Sequence, residues 1–393
     1  MEKVSLSKRR VFFYVQHLLG IGHLARASRI AKALLARGFD VTMVTGGLPI
    51  PGFPQEGVRT VVLPPVTAGD KGFSGLADAE GNPVTAAFQE HRKGMLLEAL
   101  RFSEPDVVII EAFPFGRRQM RFELLPLLEA IEAMERRPLV ATSLRDILQE
   151  RVKPGRAEET VELVKKHFDL VLVHGDPAFA RLEETFPLAS EIADRVAYTG
   201  LVAPPPPDDP AETFDVLVSA GGGAVGKELI GAALGAARIL PQDLRWCLVT
   251  GPNLPQPDFD ELAAAAPDGV GLFRFRRDFA SLLAGARLSV SQAGYNTVCD
   301  ILRAGCNSLL IPFTAGGETE QSTRAMRLER LGLAAVLPEE GITPQDLARQ
   351  VETLLARSKP EIPPLDLDGA DSTATILEEH LKRMEGVRSS RSA

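Results

Sequence analysis

Residues 289–332 read SVSQAGYNTVCDILRAGCNSLLIPFTAGGETEQSTRAMRLERLG, and the folding of this stretch decides how the rest of the chain is read. An apolar strand ends at Ser291, a Gln292-Ala293-Gly294 turn follows, and a helix opens near Asn296. The free N–H groups and macrodipole of a helix N-terminus favour phosphate. Gln292 and Asn296 can add neutral hydrogen bonds to a diphosphate, and Asp300, about one turn into the helix, can accept from ribose hydroxyls. A further strand over 308–311 leads into 312–321, PFTAGGETEQ, a polar loop at the same sheet edge. Its carboxylates and amide suit the hydroxyls of a sugar. A strand–turn–helix with a polar loop and no ligand is the plainer reading of the same residues.

Outward from this stretch, strand-like runs alternate with helical patterns along the whole chain. Runs at 11–15, 41–44, 60–63, 107–110, 139–142, 170–173 and 196–198 read as strands of one half. Runs at 214–218, 246–250, 288–291, 308–311 and 334–337 read as strands of the other, with a helix over 227–239 after the first of them. Strands separated by helices imply βαβ units and mainly parallel sheets. Pro204-Pro205-Pro206-Pro207 cannot be helix and favours a stiff extended spacer. The expected division is therefore an N-terminal domain over 1–203, a proline-rich linker over 204–213, a second domain over 214–370, and a closing segment over 371–393. That last segment should hold a helix over 372–384 that packs back on the first domain, then a disordered tail over 387–393. The fold class is α/β, with two Rossmann-like parallel-sheet domains facing across a cleft where ligands bind.

The first half opens with Gly20-Ile21-Gly22-His23-Leu24-Ala25-Arg26. As G-x-G-x-x-A it imitates a dinucleotide phosphate loop. That fingerprint wants an acidic residue at the end of the second strand. Here the strand ends in Val44-Thr45-Gly46-Gly47, and Asp40 stands at its beginning. The alternative puts His23 at the carboxyl edge of the sheet, where open α/β sheets bind ligands and an imidazole can take a proton near neutral pH. A histidine that merely caps the helix is the bland option, and His17 is a weaker candidate in the same loop. Leu24, Ala27, Ile30, Ala31, Leu34 and Leu35 form the apolar stripe of this helix, which leaves Arg26, Arg29 and Lys32 on its wet side. Glu111 closes the 107–110 strand and can either orient His23 or act as base itself. Arg117-Arg118 and Arg145-Asp146 follow strands at the same edge and read as a solvated face, with contact to an anionic acceptor as the sharper option. Residues 71–82, rich in Gly and Asp, read as a mobile loop.

The 393 residues are 45% hydrophobic and 24% charged, with a formal net charge of -8, so the chain as a whole is not built for nucleic acid. Cys247, Cys299 and Cys306 are odd in number and show no C-x-x-C spacing, which points to reduced buried thiols and not to a disulfide framework or zinc site. Lys8-Arg9-Arg10 before an apolar run imitates a signal peptide, but Gln16 and His17 break the run and a first strand fits better. No run approaches the ~18 apolar residues of a spanning helix.

The stretch 292–300 resembles the donor motif of two-domain GT-B glycosyltransferases. Plant members that use UDP-sugars carry H-C-G-W-N-S-T-L-E, followed after a strand by an Asp-Gln pair. Here Gln292-Ala293-Gly294-Tyr295-Asn296-Thr297-Val298-Cys299-Asp300 matches in register, with Glu320-Gln321 as the later pair. The overall layout is similar to glycosyltransferase family 28, the MurG-like family. The resemblance implies donor-binding roles for Gln292, Ala293, Gly294, Asn296 and Thr297 at the diphosphate, Asp300 at the ribose, and Glu320 and Gln321 at the sugar. It places Phe275 and Arg276 at the base, and aligns Gly221, Gly222 and Gly223 with the glycine loop. His23 falls on the acceptor-side histidine. Gln292 departs from the plant histidine, and Asp300 from the usual Glu. The implied activity is inverting, base-assisted transfer of a sugar from a nucleotide-diphosphate donor, UDP-linked, to a hydroxyl acceptor that is a small molecule, glycan or lipid-linked group. No cofactor is called for, and no D-x-D stands at a convincing strand end; Asp366-Leu367-Asp368 lies in a proline-rich linker. The expected location is the cytoplasm, with peripheral contact at the inner face of the membrane left open. Two other functions remain: a UDP-sugar hydrolase of the PseG type, which resembles the chain at G-x-G-H-x-x-R, and a non-catalytic UDP-sugar-binding module.

Overall fold

A computed structural model of the chain describes residues 8–18, 22–50, 52–53, 56–69, 72–149, 153–221 and 226–392. Two compact units emerge, Met1–Val202 with Asp368–Ala393, and Ala203–Leu367.

In the first unit the strands are β1 (Arg10–Val15), β2 (Asp40–Thr45), β3 (Arg59–Val62), β4 (Thr67–Gly69), β5 (Gly72–Ala77), β6 (Val107–Glu111), β7 (Leu139–Arg145), β8 (Leu170–His174) and β9 (Val196–Tyr198). Its helices before the second unit are α1 (Gly22–Ala36), α2 (Ala86–Ser103), α3 (Arg121–Glu132) and α4 (Arg156–His167). Seven strands form a parallel sheet in the order β3-β2-β1-β6-β7-β8-β9. The central strands are almost wholly apolar because helices cover both faces. Phe12, Tyr14, Val108, Ile110, Val140 and Val171 build one continuous core.

The second unit carries β10 (Val216–Ser219), β11 (Trp246–Val249), β12 (Val270–Phe273), β13 (Leu288–Ser291), β14 (Asn307–Leu310) and β15 (Ala335–Val336). Its helices are α5 (Lys227–Ile239), α6 (Gln256–Ala264), α7 (Phe279–Gly285), α8 (Tyr295–Ala304), α9 (Glu320–Arg330) and α10 (Pro344–Leu355). Its sheet is parallel, in the order β12-β11-β10-β13-β14-β15. The chain then returns to the first unit as α11 (Gly369–Ser392), which ion-pairs there through Arg37–Glu378 at 3.5 Å and Arg9–Glu385 at 3.1 Å. No helix among the described residues is long and apolar enough to cross a membrane.

Both sheets have the strand order that creates a ligand crevice. The chain winds outward from a central strand in one direction, then restarts on that strand's other side. The helices after the two diverging strands leave a gap at the carboxyl edge. In the first unit the gap falls between β1 and β6, in the second between β10 and β13.

Three expectations are corrected. Residues 72–77 are a strand, paired antiparallel with β4, and no loop runs through them. Gly72 and Gly75 lie within this strand, and only Asp78 and Gly81 mark the turn that follows, where Asp78 Oδ1 accepts from the amides of Glu80 at 3.0 Å and Asn82 at 2.8 Å. The polar tail from residue 387 continues α11 as helix to Ser392, since extending an existing helix is far easier than nucleating one. β12 had no reading as a strand, because a glycine interrupts a run of only four residues at the sheet edge.

Gly226 opens α5 with φ of 118°. A Cβ there would stand 2.3 Å from the Cβ of Ala220, at the end of β10. Gly226→Ala is therefore expected to cost about 2–4 kcal/mol, from left-handed strain plus overpacking. Urea denaturation checks this, and a midpoint equal to wild type contradicts it.

Candidate active site

The residues singled out in the sequence fall into two constellations, one in each unit. His23 is the second residue of α1, and Glu111 is the last residue of β6, so the crevice of the first sheet brings them together. His23 Nδ1 lies 2.9 Å from Glu111 Oε1. Glu111 is 0% exposed. Arg26, one turn further along α1, ion-pairs with the same carboxylate oxygen. This corrects the expectation of a wet Arg26: it is 2% exposed, and its guanidinium balances the buried carboxylate. The other carboxylate oxygen accepts from Ser143 Oγ, on β7, at 2.6 Å.

Burial works against charge on Glu111, but the cation of Arg26 and the hydrogen bonds from His23 and Ser143 outweigh it. The carboxyl stays ionised, well below its ordinary range. Burial, followed by the positive charge of Arg117, overcomes the attraction of Glu111 and lowers His23 from 6.5 to about 3. An ionised carboxylate can only accept, so the neutral imidazole carries its proton on Nδ1. Its Nε2 then keeps a lone pair, the arrangement a general base needs.

The surrounding loops are held tightly. Three described non-glycine residues have positive φ, and two of them, Ala112 at 64° and Arg117 at 57°, flank the segment after Glu111. Such strain costs roughly 1–3 kcal/mol per residue and gathers at functional sites. Arg117 Nε donates to Gln16 O at 2.9 Å. Arg92, on α2, ties Glu123 at 2.7 Å, Gly46 O at 3.0 Å and Gln16 Oε1 at 2.5 Å, so the loops after β1 and β2 are anchored to one buried guanidinium. His17 is buried and donates from Nε2 to Leu48 O at 2.9 Å. The solvated-face reading also fails at Asp146, which is 0% exposed and accepts from the amide of Ile147 at 2.8 Å. Arg118 pairs with Glu159, Arg29 donates to Val202 O at 3.0 Å, and both Arg117 and Arg145 are half-buried. Gly20 and Ile21 lie outside the described residues.

In the second unit, β13 ends at Ser291 and α8 begins at Tyr295, with Gln292, Ala293 and Gly294 between them at the crevice. Gly221 follows β10 with φ of 77°, and a Cβ on it would lie 3.6 Å from Gln292 Oε1. Gly222 and Gly223 are outside the described residues. Gln292 donates from Nε2 to Glu339 Oε1 at 3.3 Å. Ala293 is held at both backbone groups from α9. Its N–H donates to Gln321 Oε1 at 3.0 Å, and its carbonyl accepts from Arg324 at 2.9 Å. Gln321 Oε1 also accepts from the amide of Phe313 at 3.2 Å, and Arg324 pairs with Glu320 at 2.7 Å. Glu320 and Gln321 therefore brace the turn, and Glu320 is buried.

Gly294 differs from its neighbours. Its φ is -63°, and a Cβ would meet nothing nearer than Thr297 Oγ1 at 4.0 Å. Among the described residues, no packing requires a glycine here. Asn296, Thr297 and Asp300 are half-buried along the first turns of α8. Phe275 is largely exposed, and the Arg276 guanidinium is engaged by Asp278 at 2.7 Å and Glu212 at 2.8 Å. All three cysteines are free and buried, and no His, Cys, Asp and Glu group suited to a metal occurs among the described residues.

Sequence reasoning missed Arg26, Ser143, His174, Arg324 and Glu339. Only Arg26 and Arg324 carried a signal, the i, i+3 spacing from His23 and the i, i+4 spacing from Glu320.

Residues 216–364 match the glycosyltransferase family 28 C-terminal domain. A UDP-N-acetylglucosamine–N-acetylmuramyl-(pentapeptide) pyrophosphoryl-undecaprenol N-acetylglucosamine transferase of Phenylobacterium zucineum is 29% identical over 356 residues, 85% of this chain and 87% of that protein. The structure of CalG4, the calicheamicin glycosyltransferase, superposes with a TM-score of 0.62 at 18% identity, covering 97% of this chain and 98% of its own. MurG of Acinetobacter baumannii superposes at 0.57 with 15% identity, covering 96% and 99%. The chain is a glycosyltransferase with the GT-B fold. More particularly, it is MurG-like, and its second unit carries the family 28 C-terminal domain.

Proposed function

We propose that the chain moves a sugar from a UDP-sugar to the hydroxyl of an anionic, lipid-linked acceptor, with inversion and without a metal. The observation that carries this reading is the neutral His23, held as its Nδ1–H tautomer by a buried, ionised Glu111 at a sheet crevice. His23 Nε2 takes the acceptor's proton as its oxygen attacks the anomeric carbon. The bond to the diphosphate breaks in line, and the departing charge meets the N-terminus of α8. Gly294 leaves room for phosphate oxygens close to the backbone, Asn296 and Thr297 add hydrogen bonds, and Asp300 accepts from the ribose. Gly221 borders the same diphosphate, Phe275 and Arg276 offer backbone groups to the base, and Gln321 and Glu320 hold the turn on which the sugar rests.

Arg117 supports an anionic acceptor. Burial, and then the nearby cation Arg145, lower its guanidinium to about 10, so a negative group beside the pair would be welcome. The P. zucineum relative is named for a pyrophosphoryl-undecaprenol acceptor and an N-acetylglucosamine donor, which makes UDP-N-acetylglucosamine the first donor to try. A lipid-linked acceptor places the protein at the inner face of the cytoplasmic membrane, held by peripheral contact.

Calorimetric titration with UDP and UDP-sugars tests the donor half. Asp300→Ala should weaken UDP by ~1–3 kcal/mol, the cost of a lost charged hydrogen bond. Gly294→Ala should weaken UDP while leaving the unfolding midpoint unchanged. Unchanged UDP affinity in folded variants removes both residues from the nucleotide. UDP release that needs no acceptor would replace transfer by hydrolysis, and tight binding without turnover would leave only a binding module.

A further inference from the structure

Behind Glu111, away from α1, the first sheet contains a row of polar side chains where strand interiors are otherwise apolar. Ser143 on β7 and His174 on β8 are both 0% exposed, and Thr199, just after β9, is 1% exposed. Ser143 Oγ lies 2.6 Å from Glu111 Oε2 and 2.9 Å from His174 Nε2, and His174 Nδ1 lies 2.9 Å from Thr199 Oγ1. Burying such groups is costly unless each finds a partner.

The proton positions follow by elimination. The ionised Glu111 accepts only, so the single hydroxyl proton of Ser143 points at Oε2. Ser143 must then accept from His174, which places a proton on His174 Nε2. Burial, followed by the charge of Arg26, lowers His174 to about 3, so the ring is neutral and its Nδ1, beside Thr199, carries no proton. The protons on His174 Nε2 and Ser143 Oγ both point toward the carboxylate, while the Thr199 hydroxyl lies 2.9 Å from both His174 Nδ1 and Gly200 O. With Oε2 occupied from behind, the carboxylate cannot turn, and Oε1 faces His23 and Arg26.

We propose that Ser143 and His174 are positioning residues for the transfer reaction: by clamping Glu111 Oε2 they hold Oε1 against His23 and keep His23 as the Nδ1–H tautomer. This rests on the reading of His23 as the base, but its test does not depend on turnover alone. Long-range proton–nitrogen spectra of the full chain with labelled histidine report the tautomer of each of its six histidines directly. Wild type should show Nδ1–H at His23 and Nε2–H at His174. In Ser143→Ala, His23 should become a mixture of tautomers, and kcat should fall about tenfold with KM for the UDP-sugar within about twofold. His174→Leu should behave like Ser143→Ala. His174→Gln, whose amide N–H replaces Nε2–H, should recover most of the rate and the single tautomer.

An unchanged His23 tautomer and kcat in both Ser143→Ala and His174→Leu overturns the proposal, as does His174→Gln impaired as badly as His174→Leu. If the leucine variant does not fold, Ser143→Ala, which loses one oxygen, still decides. A wild type that turns over no UDP-sugar defeats the functional reading, while the tautomer spectra continue to test the clamp.

Discussion

His23→Ala is expected to lower turnover by ~10²–10⁴-fold, the usual contribution of a positioned base. UDP affinity should hardly change, because the residues proposed to bind the donor, Gly294, Asn296 and Asp300, belong to the other compact unit. If His23 only supported the start of α1, the effect would instead be a stability loss of ~0.5–2 kcal/mol with turnover intact. Thermal unfolding, UDP binding and UDP release on this one variant separate the outcomes, and near-full turnover removes His23 as base. Glu111 is then a poor replacement, because it is fully buried and its oxygens are occupied by His23, Arg26 and Ser143. That geometry favours the orienting role among the two that the sequence left open. The pH profile gives a second check. A base lowered to about 3 stays neutral through pH 6.5, so the acid limb of kcat/KM should fall well below the ordinary histidine range. The unfolded chain binds protons at these histidines more readily than the folded one. Their contribution to stability is therefore complete above pH 6.5 and is lost as pH falls toward 3.

Arg26→Met should be the most damaging single change to stability in the first unit. Removing one partner of a buried ion pair costs about 3–5 kcal/mol, because the remaining charge is left uncompensated. For a unit of this size that is a fall in Tm of about 6–20 °C. The pH dependence should weaken as well. In wild type Glu111 sits below its unfolded value, so it stabilises above that value and the benefit is lost as pH falls. With Arg26 gone, the largest influence holding the carboxyl down is lost while burial still raises it, so the stability gained above the unfolded value should shrink. Adding Glu111→Gln to Arg26→Met should restore much of the loss, since no buried charge remains. A Tm for Arg26→Met within about 2 °C of wild type contradicts the account.

Much of this was legible in the sequence. Alternating apolar runs and helical stripes are local signals, and they foretold both parallel sheets with strand ends within a few residues. His23 and Glu111 were legible because each sits where a strand runs out into a loop, the edge at which such sheets work. The failures share a cause. Ser143 and His174 each stand one residue past the apolar run expected as the strand, where hydrophobicity stops but the strand continues. Arg26 lies off the apolar stripe of α1, and only a carboxylate 85 residues away explains why it is buried. Arg324 likewise looks like the polar side of α9 until the turn it grips is in view. Side chains whose reason is a distant polar partner leave no periodic trace.

The grip of α9 on Ala293 bears on recombination between relatives. The two contacts span 28 and 31 residues of chain, from the turn before α8 to Gln321 and Arg324. A segment swap ending anywhere between Gly294 and Gln321 takes the turn proposed to bind the nucleotide from one parent and its bolts from the other. A graft of 292–300 alone should inherit the recognition groups and lose their alignment, whereas a cassette running through Arg324 carries both. The unit of exchange among donor specificities is therefore this whole cassette, larger than the short motif by which it is recognised.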